Sequence, residues 1–453
     1  MTDYGLACLV PTICVLAIAL VTHRTFEALL GGVLVGFVML DPRNFFGNFT
    51  TALTDVMRGE TVGWVILVCG LFGSLIHLLI KSGGASAFAA AMLRWVRSPR
   101  SALTVTWIMG LAIFIDDYLN ALTIGSSMRS VTDRFKISRE MLAYIVDSTA
   151  APVCVLVPFS TWAIYVAGLM EANGLAPAKG GLEFYLRCIP YVFYGWTATL
   201  LVPMVIAGIV PLFGPMKRAE LRAQGGEVVP PNTSGTTMDL PTEAEHAHPA
   251  RLLHFMGPVA VLIAATIYFD VDALKGVLVA LAFTAALMIA TGRMTASSTM
   301  ESAVSGFQSM LYPLAIIVMS FVLKDVNDRL GLTEFVIRTV TPWMNRQVLP
   351  ALAFVTLSLA TFSTGSFWGV YAIATPILAP LAQSLDVNPH LAMGALISAG
   401  AFGSHACFYG DATVLSSSAS GCNNMAHAVT QFPYALLAAG VATALFLACG
   451  WSM

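Results

Sequence analysis

Apolar stretches long enough to cross a bilayer follow one another from Gly5 to Gly450, and that succession constrains the fold more than any motif does. Hydrocarbon offers no water to pair with peptide groups, so each crossing segment must close its own hydrogen bonds as a helix or join a closed barrel. Runs of this length without a period of two select helices. Only 11% of the 453 residues are charged, less than half of the roughly 25% usual in soluble domains. The chain therefore reads as an all-α polytopic membrane protein. Its first apolar run, Gly5–Val21, follows Asp3 with no basic segment and reads as a retained span rather than a cleaved leader. The eight cysteines lie in apolar runs with no C-x-x-C pair, as small core residues do. No phosphate loop or dinucleotide fingerprint is present, and nucleic acid is not an expected partner.

One stretch breaks the pattern. Residues 217–251 are polar and rich in Pro, Gly and Thr, the composition of a solvated linker. The halves on either side resemble each other. ALLGGVLVG at Ala28–Gly36 returns as ALKGVLVA at Ala273–Ala280. LLIKSGGASAF, ending at Phe88, returns as FVLKDVNDRLGLTEF, ending at Phe335, and LAIF at Leu111–Phe114 as LATF at Leu359–Phe362. The spacing stays near 245–248 residues, as a duplication with small insertions requires.

Between Ser101 and Met128 the charged side chains are Asp116 and Asp117. Basic residues flank this segment: Lys81, Arg94, Arg97 and Arg100 before it, Arg129, Arg134, Lys136 and Arg139 after it. Positive flanks face the cytoplasm, so both ends lie on one side. Arms of about 10–15 residues are too short to span and predict a re-entrant hairpin with its tip near the midplane. Each half then reads as five spans plus one hairpin. The first, within 1–216, has spans near 5–22, 25–40, 61–80, 140–170 and 184–214, with the hairpin at 101–128. The second, within 252–453, has spans near 252–269, 272–291, 309–323, 391–426 and 428–450, with the hairpin at 347–381. Five is odd, so the second repeat is inverted. The expected setting is a bacterial-type cytoplasmic (inner) membrane, with the linker inside and the termini outside. Inside loops then hold 14 Lys and Arg and outside loops 8; the segment 324–346, assigned outside, fits this least well. Inverted repeats with helices broken at the midplane are the architecture of secondary transporters.

Ionisable side chains at such depth are costly and mark function. Asp116 and Asp117 occupy the first hairpin tip, where adjacent like charges bring protonation within reach. Asn120, Thr123 and Ser126 follow on one face, with oxygens able to replace a cation's hydration shell or to satisfy backbone. The span 140–170 carries Asp147, is interrupted at Pro152 and Pro158, and has Ser160 and Thr161 just beyond. Asp147 reads as a transport residue or as a cap for the broken ends. In the second half Ser363, Thr364 and Ser366 stand at the hairpin tip opposite the acids, which are not duplicated. The broken span 391–426 holds His405, Asp411 and Thr413, with Asp411 opposite Ser160. His405 reads equally as a proton relay or a packing residue; His77 and His427, near span ends, read as interfacial.

These segments resemble the NhaC-type sodium/proton antiporter family. The resemblance rests on DDYLNALTIGSSMR at 116–129 and VTDRFKISREMLAYIVDSTAAPVCVLVPFSTWA at 131–163. It continues with STGSFWGVYAIATPI at 363–377, GDATVLSSSASGC at 410–422 and TQFPYA at 430–435. It implies exchange of a cation for protons; some relatives carry small organic acids or amino acids instead. One departure stands out: where the family reads like HCSPISD, this chain has HACFYGD at 405–411, a bulkier and less polar wall.

The expected function is a secondary antiporter of Na+ or Li+ against protons, with Asp116, Asp117, Asp147 and Asp411 as Na+ candidates. The alternative is a Na+- or proton-coupled exchanger of a small organic acid or amino acid, its carboxylate held at 363–366 by helix N-termini. An intramembrane aspartyl protease built on Asp147 and Asp411 is set aside, since no nucleophile–base set or metal-binding spacing accompanies them; the chain is not expected to be an enzyme. No cofactor beyond the coupling ions is expected. The partners would be membrane lipid, the transported solute and, as a fixed surface for elevator-like motion, a second copy of the chain.

Overall fold

The computed structural model describes residues 4–22, 24–92, 96–114, 116–158, 160–177, 180–231, 233, 251–269, 272–365 and 367–452; Ser366 and most of the linker fall outside them. The described residues are helical, with no strand among them. The first half contains α1 (Val10–Thr22), α2 (Thr25–Leu40), α3 (Phe45–Arg58), α4 (Glu60–Lys81), α5 (Gly84–Met92) and α6 (Pro99–Ala112). It continues with α7 (Asp117–Arg134), α8 (Arg139–Thr149), α9 (Ala151–Cys154), α10 (Thr161–Ala172), α11 (Gly181–Cys188) and α12 (Phe193–Ala207). A connecting helix, α13 (Gly214–Gln224), precedes the second half. There follow α14 (Leu253–Tyr268), α15 (Ala273–Ala290), α16 (Ala296–Ser309), α17 (Leu311–Arg329), α18 (Leu332–Val340) and α19 (Leu349–Thr364). The last are α20 (Phe367–Ser384), α21 (Pro389–Ala406), α22 (Asp411–Ser420) and α23 (Asn424–Ser452).

Element order and packing recur between the halves. α4 packs on α15 and α16, while α17 packs on α2 and α3. α7 packs on α22, while α20 packs on α10. The halves thus interlock by exchanging equivalent contacts. At one seam the backbones nearly touch: a Cβ on Gly306 would lie 2.4 Å from the carbonyl oxygen of Gly73, and Ser74 donates to the carbonyl of Ala303 at 2.6 Å.

Element bounds differ in places from the sequence reading. Four helices among the described residues are long and apolar enough to cross a membrane by length and composition, or up to seven if each bent pair counts as one span. Many others are short: α1, α6, α12, α14 and α19 have 13 to 16 residues. The hairpin arms are longer than expected. α7 and α20 each run 18 residues, or about 27 Å at 1.5 Å per residue. α7 continues past Met128 because Arg129 reaches the Ser418 carbonyl and Thr132 donates to Met128, so its polar end has partners inside the protein. The expected span at 309–323 reaches Arg329 in α17, and the last helix begins at Asn424 rather than 428. The amphipathic α3, α16 and α18 lack the uniform apolarity that marked the spans, and α5, at nine residues, is too short to cross.

The linker's start is also folded. α13 lies on α8 and α23, and Arg222 grips Glu140 through two hydrogen bonds of 2.9 and 2.8 Å. Beside it, Glu220 accepts from the backbone N–H and hydroxyl of Ser138, the N-cap of α8. Burial pushes the Glu220 carboxyl above its usual range, against the pull of those two hydrogen bonds.

Candidate functional site

Four helix interruptions meet in the interior, and each is built by its local sequence. At the first, α6 ends at Ala112 and Asp116 starts α7 as its N-cap, with Oδ1 accepting from the N–H groups of Tyr118 and Leu119, each at 3.0 Å. An aspartate suits this position because its oxygen meets donors the helix leaves orphaned. The other carboxylate oxygen of Asp116 accepts from the Thr161 hydroxyl at 3.1 Å. Asp117, the first residue of α7, is buried, and among the described residues its Oδ2 has no hydrogen-bond partner. Asn120 holds the break together: its amide donates to the carbonyls of Gly110, Ile113 and Thr149 at 2.8 to 2.9 Å.

The second interruption separates α9 from α10. Ser160 caps α10, accepting from Ala163 and donating to the Cys154 carbonyl, and the Cys154 thiol donates to the Phe114 carbonyl. The third lies between α19 and α20. Gly365 has φ +67°, and a Cβ there would lie 2.8 Å from the Tyr409 ring, so both backbone and space require glycine. The Ser363 carbonyl next to it accepts from Thr12, Asn327 and Tyr409 at 3.2, 3.2 and 2.8 Å. The fourth, residues 407–410, ends where Asp411 opens α22.

The interruptions are joined in a closed circuit. Thr161 links the second to Asp116 in the first. Trp162 stacks on Phe367, ring centroids 3.5 Å apart, linking the second to the third. Tyr409 links the fourth to the third. The Tyr118 hydroxyl donates to Asp411 Oδ2, closing the circuit from the first to the fourth. Asp116, Asp117 and Asp411 thereby come within electrostatic reach of one another.

A second buried cluster adjoins the first. Asp147 Oδ2 accepts from Gln431 at 2.7 Å and faces His427 Nε2 at 3.0 Å. Gln431 also donates to the His405 carbonyl. The His405 ring lies between the Ser148 hydroxyl at 3.0 Å and the Tyr194 hydroxyl at 2.6 Å. Asp147 therefore does not cap the broken ends; its partners come from α23. His427 is not interfacial but fully buried.

The remaining expected residues divide. Asn120, Ser160, Thr364 and Thr413 spend their donors on backbone carbonyls. Ser363 offers its carbonyl, Thr123 is buried on α7, and Ser126 bonds back to Leu122. Ser366 lies outside the described residues. The four Na+ candidates fall in two adjoining clusters, Asp116, Asp117 and Asp411 in one and Asp147 in the other. Sequence reasoning missed Tyr118, Trp162, Tyr194, His427 and Gln431. A usable signal was present for two of them, since His427 and Gln431 are polar residues four apart in an apolar helix and so share a face.

Apolar helices interrupted around buried acids define a class, the multi-pass membrane transporters that move ions. The chain belongs to the Na+/H+ antiporter family, whose match covers residues 153–451; Asp411 falls inside that match and Asp116, Asp117 and Asp147 precede it. It is 26% identical to an uncharacterized protein of Haemophilus influenzae, over 98% of this chain and 91% of that one. Among solved structures it is similar to the YdaH transporter of Alcanivorax borkumensis, described as having an unusual topology. That likeness has 14% identity, a TM-score of 0.41, and covers 97% of this chain and 98% of the other.

Proposed function

We propose that the protein exchanges a monovalent cation, sodium or lithium, for protons, and that both compete for Asp116, Asp117 and Asp411. The observation that carries this reading is the Tyr118–Asp411 hydrogen bond, which draws the acids of two distant interruptions into one buried group. Among the described residues none of the three acids is ion-paired with lysine or arginine. Unpaired buried carboxylates must be neutralised by a proton or by a cation, and that choice couples two fluxes. Helix N-termini at Asp116 and Asp411 ease the ionised form.

The same reading includes inverted repeats on either side of a cytoplasmic linker, external termini, an inner-membrane setting and a second copy of the chain as a fixed partner. An organic solute as cargo has less support. The Phe408 and Tyr409 that distinguish this chain's wall are spent elsewhere. Phe408 packs on Phe362 and Phe432, and Tyr409 holds the Ser363 carbonyl.

The test uses purified protein in proteoliposomes with an imposed pH gradient and a pH-sensitive dye. Sodium, lithium, potassium, then small organic acids and amines are added singly, with an Asp116→Asn/Asp117→Asn control. Collapse of the gradient by sodium or lithium, absent in the control, supports cation exchange. Collapse by an organic solute alone overturns it.

A further inference from the structure

We infer that Trp64 is a positioning residue for the buried acids, acting through Tyr118; this rests on the antiport reading above. Tyr118 is buried, and its hydroxyl donates to Asp411 Oδ2. The other oxygen of Asp411 accepts from the N–H of Ala412 at 2.9 Å, so the carboxylate is directed at both ends. A phenol can reach that oxygen only while its ring points one way. The Tyr118 backbone is fixed, because its N–H is spent on Asp116 Oδ1, but a fixed backbone still leaves several rotamers open. The ring of Trp64 lies against the phenol, centroids 5.9 Å apart and planes tilted by 41°, within the range of an attractive aromatic pair.

Trp64 lies outside the four interruptions and outside both helices that Tyr118 joins. It sits on α4, which is seated on α16 of the second half. A Cβ on Gly70 would lie 2.2 Å from the Phe307 ring, and Ser74 donates to the Ala303 carbonyl, so α4 is fixed just beyond Trp64. Cys69, between the two, is fully buried and lies within electrostatic reach of Tyr118, Asp116 and Asp411. α4 therefore runs past the acids as a fixed wall, and Trp64 passes its position to the phenol. What this serves is affinity for the cation. A carboxylate already aimed loses little freedom when an ion arrives, whereas one free to turn must be ordered at the ion's expense. Outer-shell partners of ion-binding groups tune affinity in this way.

The experiment reads the sodium dependence of proton movement in proteoliposomes. Wild type is compared with Trp64→Ala, Trp64→Phe, Tyr118→Phe and Trp64→Ala/Tyr118→Phe, each checked for a monodisperse size-exclusion profile. Trp64→Ala is expected to raise the sodium KM by about 2- to 10-fold, the worth of one aromatic pair, with the maximal rate changing less. Tyr118→Phe should raise it by roughly 10-fold, the low end for a lost outer-shell partner. Trp64→Phe keeps a ring and should stay near wild type. In the Tyr118→Phe background Trp64→Ala should add nothing, since its effect passes through the phenol. An unchanged KM in Trp64→Ala, or the same added loss in both backgrounds, overturns the inference. Tyrosine labelled with 13C at Cζ reads it without transport. The Tyr118 signal, assigned by its absence in Tyr118→Phe, should shift in Trp64→Ala and hold in Trp64→Phe; an unmoved signal in Trp64→Ala overturns the inference. A wild type inert to alkali cations, with that shift present, would instead overturn the cation reading alone.

Discussion

The first and third interruptions occupy equivalent places in the two halves and are finished in opposite ways. At the first, backbone ends are met by side chains, but among the described residues Asp117 Oδ2 and Asn120 Oδ1 are left without hydrogen-bond partners. At the third, one carbonyl takes three donors and an aromatic ring closes over a glycine. Leaving a buried polar atom unmet costs about 1–3 kcal/mol, and such costs persist where a ligand or a proton repays them. The contrast lies in the groups left over: at the first break one is a carboxylate oxygen, and at the third it is the amide oxygen of Asn327.

The comparison breaks most directly at Asp117. Asp117→Asn keeps shape and removes charge, and should abolish cation-driven proton movement in proteoliposomes while leaving the thermal midpoint in detergent near wild type. Retained transport would show that the unmet oxygen is not where affinity lies. Gly365→Ala should do the reverse. A left-handed alanine costs about 1–2 kcal/mol before the Tyr409 ring is displaced, so the thermal midpoint should fall, with transport surviving in the folded fraction. Tyr409→Phe is milder. It removes one of three donors to the Ser363 carbonyl and should cost about 1 kcal/mol, read by the same melting measurement.

The smallest effect probes a buried carboxyl that is met, outside the membrane-spanning helices. Glu220 has its protonation favoured by burial, so the folded state binds its proton more tightly than the unfolded state. Its stabilising contribution is therefore full below the unfolded-state value and is lost as pH rises through the raised folded value. Proteolytic nicking after α13 should increase across that upward range, and Glu220→Gln should flatten the dependence.

Much of this was legible in the chain. An acid pair inside an apolar run, and prolines within an apolar span, locate the breaks because charge and missing N–H groups carry their cost wherever they fold. Family membership was legible from the same runs. The partners were not. Asp147 and His427 lie 280 residues apart, and no local pattern states which faces of two helices will meet. Asn120 and Ser160 carry the residue types of a cation site, yet their donors close the backbone, because broken helix ends compete for the same polar groups. The second half's HACFYGD wall read as bulkier and less polar; in the fold Phe408 packs on Phe362 and Phe432, while Tyr409 and Asp411 join the circuit of breaks.

The arginines at 129 and 139 were read as a topological signal, and they have another occupation: they reach the carbonyls of Ser418 and Gly421 at the end of α22. Those acceptors leave the ribosome some 282 residues after Arg139, which at about 5–20 residues per second is a wait of roughly 15–55 s. Through that interval Arg139 has Asp133 within its own half, while Tyr118 lacks Asp411. The hydrogen bond between Tyr118 and Asp411 therefore waits for α22, and the pairing of Asp147 with Gln431 waits longer still, for α23.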